Sequence, residues 1–230
     1  MTTSKTPLTR NCASPPCFAH ELADMGHGLD VVDPQQALDV ARWRQAKRKE
    51  LLAYRAALPV SVRQSMGRQV ATHVIEAIKS QGLDLKGKTL SLYWPIQSEL
   101  DLREDLGSLL SLGIRLALPV VEIKNAPLTF YAWRPGDKMK RGFWNIPVPA
   151  KQEPLKPDIL IAPLVGWDKE KFRLGYGGGY FDRTLATFEG KRFVIGVGLS
   201  ETKLDTIFPQ PYDQQLDMII TERGIESGGW

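Results

Sequence analysis

The sequence predicts an α/β domain in which a mostly parallel central sheet is covered by helices in a layered arrangement. Three observations carry this expectation. Segments of helical period alternate with short apolar runs along the chain. One of those runs, Pro157-Asp158-Ile159-Leu160-Ile161-Ala162-Pro163, is of the buried-strand type. A length of 230 residues at 43% hydrophobic content is enough for one substantial core.

Residues 1 to about 34 mix Pro, Ser, Cys, His and Gly without a sustained period and read as a tail or loosely attached cap, so the folded domain is expected over 35–230. From Gln35 to Leu58, the residues Leu38, Val40, Ala41, Leu51, Leu52, Ala53 and Ala56 alternate with charge, a helix that Pro59 stops. Ser61 is expected to cap a second helix reaching about Ser80, with Val70, Val74, Ile75 and Ile78 on its apolar side. Thr89 to Trp94 reads as a strand halted by Pro95, with a short helix following near Leu102 to Leu112. Ile114 to Val121 and Leu128 to Trp133 are the next strands. After the run at 157–163 come a charged loop, a glycine segment and a helix from about Tyr180; Arg192 to Val197 and Asp217 to Thr221 supply the late strands. There is no internal repeat and no low-complexity tract.

Thirty Lys and Arg against 26 Asp and Glu leave a net charge of +4, which suits anionic small molecules as well as nucleic acid and forces neither. The two cysteines, Cys12 and Cys17, precede the folded part, so no disulfide framework supports the core and a reducing compartment is expected. The first residues lack the apolar run of a signal peptide, and no stretch approaches the ~18 consecutive apolar residues of a membrane helix. The expectation is a soluble, cytoplasmic protein.

Gly82-Leu83-Asp84-Leu85-Lys86-Gly87-Lys88-Thr89 fits the phosphate-loop pattern G-x-x-x-x-G-K-[ST] letter for letter. Such a loop must leave a strand and open a helix, whereas here a helix precedes and a strand follows, so the match reads as an ordinary connection. The stretch Arg173-Leu174-Gly175-Tyr176-Gly177-Gly178-Gly179-Tyr180-Phe181-Asp182 has the better context, lying beyond a strand and running into a helix. Glycine lets backbone amides approach a ligand closely, and consecutive amides form anion-binding nests. Arg173 could supply a bidentate cation for phosphoryl oxygens and Asp182 could hold magnesium. The residues alone equally allow a flexible turn in which Asp182 complements the helix dipole. Arg44 and Arg48, four apart, share one helix face and could grip phosphates or simply be solvated.

Taken together these residues resemble the 5-formyltetrahydrofolate cyclo-ligase family, also called methenyltetrahydrofolate synthetase. Its bacterial members carry R-L-G-x-G-x-G-Y-[YF]-D, matched by 173–182. The resemblance covers roughly Ala41 to Glu222. It includes the basic helix, the strand ending Leu92-Tyr93-Trp94-Pro95-Ile96-Gln97-Ser98-Glu99, the W-x-I-P-x-P element in Phe143-Trp144-Asn145-Ile146-Pro147-Val148-Pro149, and the closing Tyr212-Asp213, Leu216-Asp217 and Ile220-Thr221. It implies a three-layer α/β/α fold of the CoA transferase-like kind. It also implies conversion of 5-formyltetrahydrofolate to 5,10-methenyltetrahydrofolate, with ATP cleaved to ADP and phosphate and magnesium required.

By this resemblance Arg44, Arg48, Arg173 and the ribbon Leu174, Gly175, Tyr176, Gly177, Gly178, Gly179, Tyr180 and Phe181 contact ATP. Arg173 and Tyr180 act in catalysis, and Asp182 with Asp213 binds magnesium. Glu99 would accept hydrogen bonds from the pterin, and Tyr93, Trp94, Trp144 and Tyr180 would wall its ring system. Partners are then a reduced folate and ATP, with no nucleic acid or membrane, on a monomer or weak dimer. Three positions depart from the family pattern: Arg44 where lysine is frequent, Phe181 for tyrosine, and Tyr212 where histidine is common. Cys12, Cys17, His20 and His27 lie outside the family core, and their irregular spacing assigns no function. Two other readings are a paralogue using ATP on another folate or amide, and a nucleotide- or RNA-binding module built on Arg42 to Lys49.

Overall fold

The computed structural model describes residues 34–80, 85–190 and 192–228. The expected N-terminal tail, with Cys12, Cys17, His20 and His27, lies outside these residues.

Helix α1 spans Pro34–Ala57 and ends where Pro59 removes a donor and disfavours helical geometry in Leu58. Helix α2, Val60–Ser80, starts one residue before the expected cap. Its first turn closes on the backbone, Arg63 N donating to the Pro59 carbonyl at 3.0 Å, so Ser61 sits inside the helix and caps nothing. Val70, Ala71, Val74, Ala77 and Ile78, at three- and four-residue spacing, are all buried.

Strand β1 is Thr89–Ser91, shorter than expected, so Tyr93 and Trp94 fall in the loop beyond it. Helix α3, Arg103–Gly107, runs into a 3-10 turn at Ser108–Leu112. Then come β2 (Arg115–Val120), β3 (Thr129–Ala132), β4 (Met139–Arg141), β5 (Pro147–Pro149) and β6 (Ile159–Pro163). The expected charged loop instead holds β7 (Gly166–Asp168) and β8 (Arg173–Leu174), both buried. Helix α4 is Tyr180–Ala186, followed by β9 (Phe193–Val197), β10 (Lys203–Leu204), β11 (Met218–Thr221) and β12 (Gly224–Gly228). β4, β5, β7, β8 and β10 have two or three residues each, too few for alternation to register in the sequence.

Seven strands form the main sheet in the order β12-β11-β9-β6-β1-β2-β3. The run from β11 to β2 is parallel, with Leu90 beside Ile159 and Leu116, and Ile161 beside Ile195; the two edge strands are antiparallel. Successive side chains of β6 go to opposite faces. Ile159 and Ile161 join Val74, Ile78 and Leu106 from α2 and α3, while Leu160 and Ala162 join Phe181 and Leu185 from α4. Helices therefore cover both faces, giving the expected three layers. Each such large side chain contributes about 1.5–3 kcal/mol of burial. Leu51 of α1 packs with Val165, Leu174 and Ile207, which seats α1 against the small β10-β7-β8 sheet.

The phosphate-loop look-alike keeps the helix-then-strand order: α2 ends at Ser80 and β1 begins at Thr89, with Gly87 N bonded to the Gly113 carbonyl at 2.9 Å. Residues 81–84 lie outside the described set. Among the described residues no helix is long and apolar enough to cross a membrane.

Candidate active site

The carboxyl ends of β1, β6 and β9 converge, the position at which parallel α/β sheets bind ligands. Two structures meet there: the glycine ribbon between β8 and α4, and the loop carrying Glu99.

In the ribbon, Gly177 (φ +96°) and Gly179 (φ +62°) adopt left-handed conformations that favour glycine. Gly175 does not, and a Cβ built there meets nothing within 4 Å. The fold leaves open space beside that backbone, which suits a ligand that must approach it closely. The base of the ribbon is closed by a bidentate ion pair: Arg173 Nη1 and Nη2 donate to Asp182 Oδ1 and Oδ2 at 3.0 and 2.8 Å. Asp182 Oδ1 also accepts from Gln214 N at 3.1 Å. Burial raises the Asp182 carboxyl above its ordinary range, against the pull of Arg173.

Arg44 of α1 is buried, with Nε and Nη2 donating to the carbonyls of Ile207 and Phe208 at 2.9 Å. The same guanidinium pairs with both carboxylate oxygens of Asp213, one of which also accepts from Gln210 N at 2.7 Å. One turn later Arg48, half-buried, donates through Nε to the Gly175 carbonyl at 2.7 Å and lies 3.4 Å from where a Gly177 Cβ would stand. Its terminal nitrogens make no hydrogen bond among the described residues. Burial and the neighbouring Arg44 lower its pKa, while an arginine remains charged throughout.

These pairings show what each expected site residue touches in this structure. Arg44 and Arg173 were expected to touch phosphates directly; in this structure their guanidinium groups pair with Asp213 and Asp182, while Arg48 and Arg183 face the ribbon, Arg183 donating to the Gly178 carbonyl. Asp182 and Asp213 were expected to ligate magnesium, yet all four oxygens already accept guanidinium hydrogens. Among the described residues no group of three or more His, Cys, Asp or Glu could hold a metal ion. A divalent cation placed at either carboxylate would sit beside a buried guanidinium and be repelled by it, so the two acids as arranged do not fit direct metal ligation. Leu174 and Phe181 point inward, to the cores around Leu51 and Leu160, rather than along the ribbon.

Glu99 follows a turn with Gln97 at φ +51°. Its Oε2 accepts from Ile96 N at 2.8 Å, and its Oε1 accepts no hydrogen bond among the described residues. Burial pushes this carboxyl from 4.5 to about 7, opposed by the Ile96 N–H and by Arg55. Glu99, Tyr93, Arg55, Leu164 and Gly198 line a narrow cleft of about 10 Å³, room for roughly one water. Tyr93 is buried and donates to the Leu100 carbonyl at 2.6 Å. Trp94 is not among the lining residues; Arg103 lies 3.7 Å over its ring, so that face is covered. Trp144 is 61% exposed and meets Tyr180 edge-on at 5.6 Å, while the Tyr180 hydroxyl accepts from Asn125 N at 3.1 Å.

Arg55 went unnoticed in the sequence. It is buried and donates to Ser98 Oγ and the Leu164 carbonyl, each at 3.2 Å, and to the Tyr176 hydroxyl. The signal was its spacing: eleven residues after Arg44 is close to three full turns, so Arg44, Arg48 and Arg55 share one face of α1. Of the other basic residues of α1, Arg42 pairs with Asp39 at 3.6 Å and Lys47 with Glu50 at 2.7 Å, while Lys49 is exposed.

The fold and these residues define an α/β protein with a glycine-rich ribbon and the Glu99 cleft side by side at the carboxyl edge of a parallel sheet. The model of the 5-formyltetrahydrofolate cyclo-ligase family matches residues 40–222, and the chain belongs to that family, a ligase-type enzyme. It is 31% identical over 195 residues to the 5-formyltetrahydrofolate cyclo-ligase of Mycolicibacterium smegmatis, covering 80% of this chain and 96% of the relative. It is 32% identical over 163 residues to that of Haemophilus influenzae, covering 68% and 84%. Solved structures of 5,10-methenyltetrahydrofolate synthetases superpose at 26% identity. The Mycoplasma pneumoniae protein gives a TM-score of 0.64, covering 78% of this chain and 98% of its own. The Aquifex aeolicus protein gives 0.67, covering 81% and 95%.

Proposed function

We propose that the chain converts 5-formyltetrahydrofolate to 5,10-methenyltetrahydrofolate with cleavage of ATP to ADP and phosphate. The observation that carries this reading is the open backbone at Gly175, flanked by Arg48 and adjoining the Glu99 cleft. A formamide carbon is a poor electrophile and its oxygen a poor leaving group, and phosphorylating that oxygen changes both. The formyl oxygen attacks the γ-phosphorus, N10 then adds to the activated carbon, and phosphate departs. Such chemistry depends on alignment and charge neutralisation, so it requires no nucleophilic side chain.

The ribbon amides and Arg48 bind the triphosphate. Arg173 and Asp182 hold the ribbon's two ends together, and Arg44 with Asp213 holds α1 against the 207–213 segment. Glu99, through its unused Oε1, accepts N–H groups of the pterin, and Tyr180 with Trp144 offers ring faces to the folate. The cleft must widen to admit a pterin, since it now has room for about one water. Magnesium carried on the nucleotide phosphates would supply charge neutralisation there; Asp182 and Asp213 are not assigned to it.

Purified protein given 5-formyltetrahydrofolate, ATP and magnesium is expected to generate the near-ultraviolet absorbance of the methenyl product. ATP binding without that absorbance would overturn the folate assignment and favour a relative acting on another folate or amide.

A further inference from the structure

Arg55 carries a charge that the stability of the fold does not explain. Its guanidinium is buried, yet among the described residues it makes no ion pair with a carboxylate. Its three acceptors are a hydroxyl, a carbonyl and a phenol, all neutral. Burying a cation on neutral partners costs more than burying one beside an acid. Those acceptors also belong to three separate segments. Ser98 precedes Glu99, Leu164 follows β6, and Tyr176 is in the glycine ribbon, its ring centroid 5.7 Å from the Arg55 Cζ.

We propose that Arg55 is a positioning residue that fixes the nucleotide ribbon and the folate cleft in register, through Tyr176 on one side and the Ser98-Glu99 turn on the other. This deepens, and rests on, the reading that the ribbon holds ATP and Glu99 holds the pterin. In-line phosphoryl transfer needs the two substrates aligned to a fraction of an ångström, and a planar fork with donors in three directions can hold two loops where a lysine could hold one. The charge has a second effect. The titratable groups facing Glu99 are Arg55 from α1, Tyr93 from the loop after β1 and Tyr176 from the ribbon. Of these Arg55 alone favours the carboxylate, opposing burial at Glu99 and also at Tyr176, whose phenol stands at about 12. Arg55 thereby keeps Glu99 ionised, as an acceptor, at lower pH than burial alone would allow.

The test separates the fork from the charge. Wild-type protein is first titrated with ATP alone and with 5-formyltetrahydrofolate alone; failure to bind either ligand would defeat the functional reading itself, whatever Arg55 does. Arg55→Lys keeps the charge and loses the fork. It is expected to bind each ligand nearly as before, to lower kcat on the order of 100-fold, and to leave the acid limb of the pH–rate profile in place. Arg55→Gln is expected to lower kcat similarly and to move that limb upward by about 1 pH unit. Tyr176→Phe leaves Arg55 in place but removes one of its acceptors; kcat should fall at a temperature where the variant is still fully folded, its thermal midpoint lowered by only a few degrees, which guards against loss of fold in the arginine variants. Wild-type kcat in Arg55→Lys or Tyr176→Phe, or an unmoved acid limb in a folded Arg55→Gln, would overturn the proposal.

Discussion

Replacing Glu99 by glutamine is expected to stabilise the folded chain above neutral pH while removing folate turnover. The carboxyl rises from 4.5 to about 7 on folding, chiefly through burial. Between those values the folded chain keeps a proton that the unfolded chain has released, so stability falls as pH rises through that window, and the full penalty is present above it. At about 1.4 kcal/mol per pH unit the penalty reaches roughly 3 kcal/mol. Glutamine has no charge to desolvate, and its carbonyl can still accept from Ile96 N; the attraction to Arg55 is already contained in the value of about 7, and the buried donor that the new amide introduces offsets part of the gain, leaving about 2 kcal/mol. For a chain of this length that is a rise of roughly 4–8 °C in Tm. Urea unfolding at pH 5 and pH 8 reads it directly: a small difference between variant and wild type at pH 5 and the larger one at pH 8. Turnover should vanish at both, because an amide nitrogen facing a pterin N–H offers a donor where an acceptor is needed. An identical difference at the two pH values, or a less stable variant at pH 8, would refute the argument from burial.

Three further changes test the ribbon and its supports. Gly175→Ala adds a Cβ into open space at an ordinary φ, so Tm should hold while ATP affinity falls; retained affinity in a nucleotide titration would remove Gly175 from the site. Arg48→Ala removes a charge-assisted contact worth ~1.5–3 kcal/mol, and the KM for ATP should rise at least tenfold with little change in Tm. Asp182→Asn leaves buried Arg173 without its anion and should cost about 3–5 kcal/mol in thermal unfolding. If that variant instead keeps its Tm and needs more magnesium, Asp182 is a metal ligand after all.

The order of helices and parallel strands was legible because each element declares itself locally. The 3.6-residue period of Val70, Val74 and Ile78, the apolar block Ile159 to Ala162 and the stop at Pro59 are all properties of neighbouring residues. The ribbon was legible for the same reason, since four glycines in five positions have few structural explanations. The two- and three-residue strands β7, β8 and β10 were not, because they exist only by pairing with one another. The pairing of the charges was not legible: Arg44, Arg173, Asp182 and Asp213 were each read as ligand-facing, and each has a partner within the protein.

Sequence by itself determined the layered α/β architecture and the glycine ribbon, since short-range periodicity and composition encode them; Glu99 was singled out only through the family resemblance. Tertiary structure alone decided which cations face the ribbon and which pair with a buried carboxylate. Arg44 finds Asp213 across 169 positions and Arg55 finds Tyr176 across 121. No local pattern records such a pairing; it exists once the sheet has brought those segments together and burial has made an unpaired charge too costly to leave.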